Sequence, residues 1–212
     1  MFDDEKDMEA RVQSSNLNEE LGMVKYIFSD KTGTLTQNIM EFKRFSAGEV
    51  SYGCDDPDPV KYAPGVTNVN FFDPAFDDCI KDESHQNHEN LKSFIEALGV
   101  CHTVITETKY TNDNQPYILY NASSPDELAL VNGARHLGFG FRERDDDWNM
   151  VIDAWDGQRK YKLLNIIEFD STRKRMSVIV RDPEDRIILF CKGADSIIEK
   201  RLVPGQELLQ KT

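Results

Sequence analysis

The C-terminal half of the chain alternates strand-like segments with turn sequences, and this pattern restricts the fold more than any other feature. Residues 139–144, 160–169, 175–181 and 186–192 are predicted to be strands. The Asp-Pro-Glu-Asp sequence at 182–185 separates the last two and is typical of a turn, so these strands are expected to pair as a hairpin.

The central part of the chain combines one helix with stretches that lack a regular pattern. Apolar residues at helical spacing predict an amphipathic helix near 88–102; they are Leu91, Phe94, Ile95 and Leu98. Residues 54–74 hold half of the eight prolines and are predicted to be a loop. The strongly polar segment 77–90 is expected to be mobile, whereas 41–52 is strand-like with a turn at Gly48.

A second helix has several start signals in consecutive positions. Ser124 suits the N-cap, Pro125 suits the first helical position, and Glu127 suits the third position of a capping box. This helix is predicted to run to about Leu137 and to stop at the glycine that follows. A short final helix is predicted at 194–202.

Composition argues against several classes of function. Asp and Glu outnumber Lys and Arg by 38 to 25, and the net charge of −13 opposes the binding of nucleic acid, so no such partner is expected. No segment approaches the roughly 20 apolar residues that span a bilayer, and the acidic start at 1–9 is unlike a signal peptide. The four cysteines lie far apart, which argues against a zinc site and fits a reducing compartment. A soluble, cytosolic piece is expected.

The Asp-Lys-Thr-Gly-Thr-Leu-Thr sequence at 30–36 indicates the clearest chemistry. It follows a β-prone run at 23–29, which is predicted to be a buried strand of a parallel sheet that ends at Asp30. A carboxylate in that position can attack a phosphoryl group and hold it as an aspartyl-phosphate. Lys31 supplies local positive charge, and Thr32 offers donors to phosphate oxygens. A plain Asx turn after a strand is the alternative interpretation.

Phe169, at the end of a predicted strand, has two interpretations. It is a core residue if it shares a strand face with Ile167 and Leu163. A phenylalanine at such a position is more often a core residue, but the adjoining polar run 170–175 suggests a pocket rim. At a rim the ring would be an aromatic platform, and stacking on a base contributes about 1–3 kcal/mol. The basic residues in that run are equally a solvated hairpin end or a local positive field for phosphates.

Lys192 and Glu127 also have two interpretations each. Lys192 shares a strand face with Phe190, so it is either a snorkelling lysine or a cation at the mouth of an apolar pocket. Helix capping alone explains Glu127, although it can also contact a ligand. His85 and His88 have a spacing that suits a metal, but their polar, acidic surroundings favour solvated side chains.

The sequence at 30–36 resembles the phosphorylation motif of P-type ATPases, and other stretches resemble the phospholipid-transporting (flippase) branch of that family. These stretches follow the family's order and lie at 15–22, 124–127, 169–177 and 192–195. The resemblance covers roughly residues 14–202, and 55–90 is the part without a family motif.

The resemblance implies an α+β fold in two parts. Residues 1–38 are expected to be the N-terminal part of a haloacid-dehalogenase-like α/β phosphorylation domain and to contribute its first strand. Residues 39–212 are expected to be a C-terminally incomplete nucleotide-binding domain, in which helices flank an antiparallel sheet.

The resemblance also implies the site residues and their ligands. Asp30 is expected to be the catalytic nucleophile. Together with Lys31 and Thr32, it is expected to serve the γ-phosphate of ATP, and Asp30 and the Thr32 carbonyl are expected to bind Mg²⁺. The residues expected to contact the nucleotide are Glu127, Phe169 and Lys192.

The parent protein is then expected to be a multi-pass membrane protein that hydrolyses ATP to move a phospholipid. An accessory membrane subunit is a further expected partner. This chain is expected to lie on the cytosolic face of the membrane and to bind nucleotide without completing the cycle, because it carries no membrane helices and no later phosphorylation-domain motifs.

Three other interpretations stay open. A P-type cation pump shares the Asp30 motif but not the forms of 124–127 and 169–177. A soluble phosphatase of the haloacid-dehalogenase type usually carries a second Asp two residues after its nucleophile, where this chain has Thr32. The last is a non-catalytic domain that binds nucleotides or other proteins.

Overall fold

The structure is a computed structural model that divides the chain into two compact units, Met1–Asn38 and Ile39–Thr212. Its described residues are 2–3, 8–9, 17–54 and 62–204. No helix among these residues is long and apolar enough to cross a bilayer.

The described residues of the first unit form only short regular elements. Strands β1 (Phe2–Asp3) and β2 (Met8–Glu9) pair antiparallel, helix α1 spans Leu17–Gly22, and a π-helical turn spans Lys31–Leu35. Residues 23–29, where a strand was expected, pair with no strand of the described residues, and Phe28 is 96% exposed. A strand of a parallel sheet needs hydrogen-bonded neighbours. The strand at 23–29 therefore stays a prediction.

The second unit is built on a five-stranded antiparallel sheet in the order β11-β10-β9-β8-β7. Its strands are β7 (Gly140–Arg144), β8 (Asn149–Ala154), β9 (Gly157–Asp170), β10 (Arg175–Arg181) and β11 (Ile187–Gly193). The predicted hairpin of β10 and β11 is confirmed, because Met176 lies opposite Lys192 and Arg181 opposite Ile187. Strand β8 was not predicted.

Strand β9 contains two irregularities that change which way its side chains point. Its register with β10 shifts between Leu163 and Asn165 and again between Ile167 and Asp170. Each shift inserts an extra residue and turns the following side chains to the other face. The prediction that Phe169 shares one face with Ile167 and Leu163 is therefore wrong: Leu163 packs against the core, and Ile167 is exposed.

Three helices contribute to the core of the second unit. They are α2 (Pro74–Lys81), α3 (His88–Val100) and α4 (Pro125–His136). The predictions of α3 and α4 are confirmed, including the N-cap at Ser124, whose hydroxyl accepts a hydrogen bond from the Glu127 amide. Helix α2 lies partly where a mobile segment was expected. Its N-cap is Asp73, whose side chain accepts a hydrogen bond from the Ala75 backbone N–H.

The remaining elements are two small hairpins and a C-terminal helical turn. The hairpins join β3 (Phe45–Ala47) to β4 (Val50–Tyr52) and β5 (Ile105–Tyr110) to β6 (Pro116–Asn121). Helix α5 (Asp195–Ile198) continues as a 3₁₀ turn over Glu199–Arg201, at the place of the predicted short helix.

The core lies between the sheet and the helices. Leu91 and Ile95 of α3 and Val131 of α4 are fully buried, as is Val178 in the middle of the sheet. A cluster of aromatic rings extends this core beneath α2, and Phe45 stacks at its centre with ring centroids 4.7–5.8 Å from its stacked neighbours. The unit is thus an α+β domain with an antiparallel sheet, as expected.

Candidate functional site

A cavity of about 680 Å³ lies where the start of α4 faces the ends of β9, β10 and β11. Glu127, Phe169 and Lys192, the three residues expected in the second unit, all line it. They are far apart in the sequence, and the sheet topology brings them together: Lys192 lies directly opposite Met176, which also lines the cavity.

Phe169 reaches the cavity because of the second irregularity in β9. Simple alternation would put Phe169 on the same side as the exposed Ile167. The extra residue before Asp170 re-aims the strand end, so that both Glu168 and Phe169 line the cavity. The residue Phe169 is 63% exposed, which argues against the core interpretation.

Glu127 is buried at the start of α4, and its carboxylate contacts Thr103 rather than the N-cap residue. Oε1 accepts from the Thr103 backbone N–H at 3.1 Å, and Oε2 accepts from the Thr103 hydroxyl at 2.8 Å. The Ser124 hydroxyl accepts the Glu127 N–H at 3.4 Å. Only half of the predicted capping box therefore forms, because the loop residue Thr103 offers the carboxylate two donors at once.

Lys192 presents a buried cation to the same space. Its Nζ lies 3.6 Å from Glu127 Oε1, an ion pair that is longer than a hydrogen bond. Nζ is shielded from solvent and has no hydrogen-bond partner within the described part of the chain. Since buried donors are almost always paired in folded proteins, this unmatched ammonium is the group that most clearly calls for a ligand.

The loop before β5, which carries Thr103, is held in place by His102. His102 is fully buried; its Nε2 lies 3.0 Å from the Gly99 carbonyl, and its Nδ1 accepts from the Val104 N–H at 3.1 Å. Burial, followed by the positive charges of Arg144 and Lys192, holds the pKa of His102 well below its usual range. His102 is thus a neutral structural residue at physiological pH.

The basic residues that follow Phe169 form the turn between β9 and β10. The Asp170 carboxylate accepts from the backbone N–H groups of Thr172 and Arg173, which lowers its pKa. The Arg173 guanidinium donates to the Glu168 carbonyl at 3.2 Å, and that of Arg175 donates to the Arg173 carbonyl at 3.0 Å. These contacts favour the interpretation of the cluster as a hairpin end.

In the first unit, Asp30 caps the π-helical turn formed by the motif. Its Oδ1 accepts from the Lys31 backbone N–H at 2.7 Å, and the Thr36 N–H closes the turn on the Lys31 carbonyl at 3.1 Å. Both Asp30 and Lys31 are exposed, so an approaching phosphoryl group can reach the carboxylate. The side chain of Thr32 lies outside the described part of the structure.

No metal site is formed by side chains alone within the described residues, where no three or more His, Cys, Asp or Glu side chains group together. His85 is exposed, with Nε2 3.5 Å from the Cys79 sulfur. His88 is buried, so the expectation of a solvated side chain is wrong for this residue. It is the first residue of α3, and its Nδ1 lies 3.4 Å from the Cys79 carbonyl oxygen.

Sequence analysis missed Thr103, His102 and Arg144. Arg144 on β7 donates to the carbonyls of His102 and Val104, both at 3.2 Å, and so fixes the loop that carries Thr103. None of these residues belongs to a local pattern, and each acts through partners distant in the sequence. Only the polar His102–Thr103 pair between two apolar residues hints at a role.

Comparisons with known proteins identify the family that this chain resembles. Residues 90–202 match the profile of a family described as "P-type ATPase, cytoplasmic domain N". The chain is 42% identical over 228 residues to phospholipid-transporting ATPase ID of Homo sapiens and 40% identical over 221 residues to phospholipid-transporting ATPase IC of Xenopus tropicalis. All of this chain is covered in both cases, but only 18% and 17% of the relatives. The chain thus spans less than a fifth of their length.

Proposed function

The chain belongs to the P-type ATPase family, and we propose that it is the nucleotide-binding and phosphoryl-accepting part of a phospholipid-transporting member. In this proposal, residues 39–212 are the nucleotide-binding domain. Residues 1–38 are the start of a haloacid-dehalogenase-like phosphorylation domain, whose first strand is 23–29.

The observation that carries the nucleotide-binding role is the pairing of an exposed aromatic ring with a buried, unmatched ammonium in one cavity. A purine ring can stack on Phe169, and stacking of a base on an aromatic side chain contributes about 1–3 kcal/mol. Lys192 Nζ then finds acceptors on the base, which removes the cost of an unpaired buried donor. A volume of about 680 Å³ is within the range of small-molecule sites.

The charges around the cavity support one orientation of ATP. Asp126, Glu127 and Glu168 line the cavity together with a single basic residue, Lys192. This excess of carboxylates repels a triphosphate but tolerates a neutral base. We therefore propose that adenine occupies the cavity and that the phosphates extend out of it.

Asp30 is the proposed nucleophile. A carboxylate oxygen of Asp30 attacks the γ-phosphorus of ATP, the bond from that phosphorus to the β,γ-bridging oxygen breaks, and ADP leaves. The Asp30 carboxylate and the Thr32 carbonyl would hold Mg²⁺, which would neutralise charge on the transferring phosphate. Among the described residues, Asp30 belongs to no cluster of three or more potential metal ligands, which suits Mg²⁺ because that ion is usually held by one or two carboxylates plus substrate phosphates.

The roles of the whole protein extend beyond this chain. We propose that it uses the aspartyl-phosphate cycle to move a phospholipid at a membrane, as the names of its relatives indicate for those proteins. An accessory membrane subunit and a position on the cytosolic face are parts of the same proposal. Soluble phosphatases of this type usually carry a second Asp where this chain has Thr32. This difference supports a persistent phosphoenzyme rather than a soluble phosphatase.

The test is a calorimetric titration of the chain with Mg-ATP, using Lys192→Ala and a matched variant. Lys162→Ala removes an equal charge from an exposed position on β9 and controls for the change in net charge. We expect the wild type to bind Mg-ATP with a Kd on the order of 0.1–1 mM and Lys162→Ala to bind it equally well. The affinity of Lys192→Ala should be lower by at least about tenfold. Equal losses in both variants, or no binding by a folded wild type, would contradict the proposal.

A further inference from the structure

Thr103 makes an unusual two-point contact with Glu127 at the edge of the cavity. Its backbone N–H and its hydroxyl donate to the two different carboxylate oxygens, at 3.1 and 2.8 Å. Thr103 also lines the cavity itself. One residue on a loop between α3 and β5 therefore fixes both oxygens of a buried carboxylate.

Several hydrogen bonds hold the loop that carries Thr103 in place. The Arg144 guanidinium donates to the carbonyls on both sides of Thr103, at 3.2 Å each, and the His102 ring bridges the Gly99 carbonyl and the Val104 N–H. Thr103 is thus held in place independently of Glu127, so its donors are pre-organised for the carboxylate.

Fixing Glu127 has a direct consequence for Lys192. The ammonium lies 3.6 Å from Oε1 and has no hydrogen-bond partner among the described residues. The Thr103 hydroxyl holds the other oxygen, Oε2. Without it the carboxylate is free to turn, and a charge-assisted hydrogen bond to Lys192 then needs only a small approach. We propose that Thr103 is a positioning residue: it satisfies Glu127 and so keeps the protons of Lys192 available for the nucleotide. This proposal rests on the proposed function.

The first test compares Thr103→Val with Thr103→Ser in the Mg-ATP titration of the full chain. Valine keeps the branched shape and the backbone donor but removes the hydroxyl, whereas serine retains it. We expect Thr103→Val to weaken binding about tenfold, which corresponds to about 1.4 kcal/mol, and Thr103→Ser to stay within about twofold of wild type. If Thr103→Val unfolds, Thr103→Ala takes its place; equal binding by the alanine or valine variant and wild type would overturn the proposal.

A double-mutant cycle with Glu127→Gln separates positioning from direct contact. If Thr103 acts through Glu127, Thr103→Val has an effect of less than about twofold when Glu127→Gln is already present, because no carboxylate is left to capture Lys192. A full tenfold effect in that background would mean that Thr103 touches the nucleotide itself, and the proposal would be wrong.

A measurement without nucleotide provides an independent readout. We expect the ¹³Cε resonance of Lys192 to move in the free Thr103→Val protein, where the ammonium forms a hydrogen bond to Glu127, and to stay in place in Thr103→Ser. An unmoved resonance in Thr103→Val would refute the positioning role even if ATP binding falls. If wild type binds no ATP while this shift occurs, the pairing logic holds but the nucleotide function fails.

Discussion

Replacing Phe169 by alanine should separate ligand binding from folding. Phe169 is 63% exposed, so about a third of its surface of roughly 200 Å² touches protein. At about 25 cal/mol per Å², that contact contributes less than about 2 kcal/mol to the free energy of unfolding. The lost stacking on adenine is worth about 1–3 kcal/mol, which corresponds to a rise in Kd of about 5- to 150-fold.

Calorimetry with Mg-ATP measures the loss, and thermal unfolding confirms that the variant is folded. Ile167→Ala is the matched control, because Ile167 lies two residues earlier on β9, is 37% exposed and sits on the other side of the irregularity. We expect Ile167→Ala to bind like wild type. Wild-type affinity in a folded Phe169→Ala protein would refute the stacking argument and the role of the re-aimed strand end.

Three further predictions concern the domain that carries the cavity. Burial holds the pKa of His102 well below 6.5, so the unfolded chain binds a proton that the folded chain does not. The contribution of His102 to the free energy of unfolding should therefore be fully present above about pH 6.5 and fall by up to about 1.4 kcal/mol per pH unit below it. When urea unfolding is measured at pH 5.5–7.5, the free energy of unfolding should depend less steeply on pH in His102→Asn than in the wild type. Gly133→Ala places a Cβ 2.6–2.8 Å from ring atoms of Phe42 and should destabilise the domain by about 1–3 kcal/mol in spite of better helix propensity, whereas unchanged stability would show that the ring moves freely. Tyr161→Phe removes the 2.7 Å hydrogen bond to Glu96 and should cost about 0.5–1.5 kcal/mol in the same unfolding assay, and a gain in stability would contradict this accounting.

Local signals made some elements predictable from the sequence. Ser124 and Pro125 mark the start of α4 within one turn of chain, and the turn at 182–185 defines the β10–β11 hairpin. Such features depend on residues close in sequence, so their physical causes are visible without the fold. The same kind of signal, Asp73 followed by Pro74, marks the start of α2.

The cavity depends on contacts that no local pattern contains. The irregularity near Phe169 arises from pairing with β10, and a period-two reading of β9 alone gives the wrong face. The partner of Glu127 is Thr103, 24 residues earlier, whereas local capping rules point to Ser124. Physical arguments from the residues left core and ligand roles open for Phe169 and Lys192, and the resemblance to a family was needed to favour one.

The predicted strand at 23–29 illustrates a different limit. Its alternating apolar residues suit a sheet, yet Tyr26 is 80% exposed and the segment has no partner among the described residues. Sheet formation depends on neighbouring strands, which a segment cannot supply for itself. A pattern of side chains therefore predicts the tendency to form a strand but not the sheet that would hold it.

The most direct test of nucleotide binding at this cavity is a two-dimensional NMR titration of the ¹⁵N-labelled chain with Mg-ATP. We expect the shifted amides to cluster around Thr103, Glu127, Phe169 and Gly193. A second cavity, of about 440 Å³, lies at the other end of α4 beside Trp155 and provides an internal control. Shifts confined to that second cavity, or no shifts in a folded protein at millimolar ATP, would contradict the account.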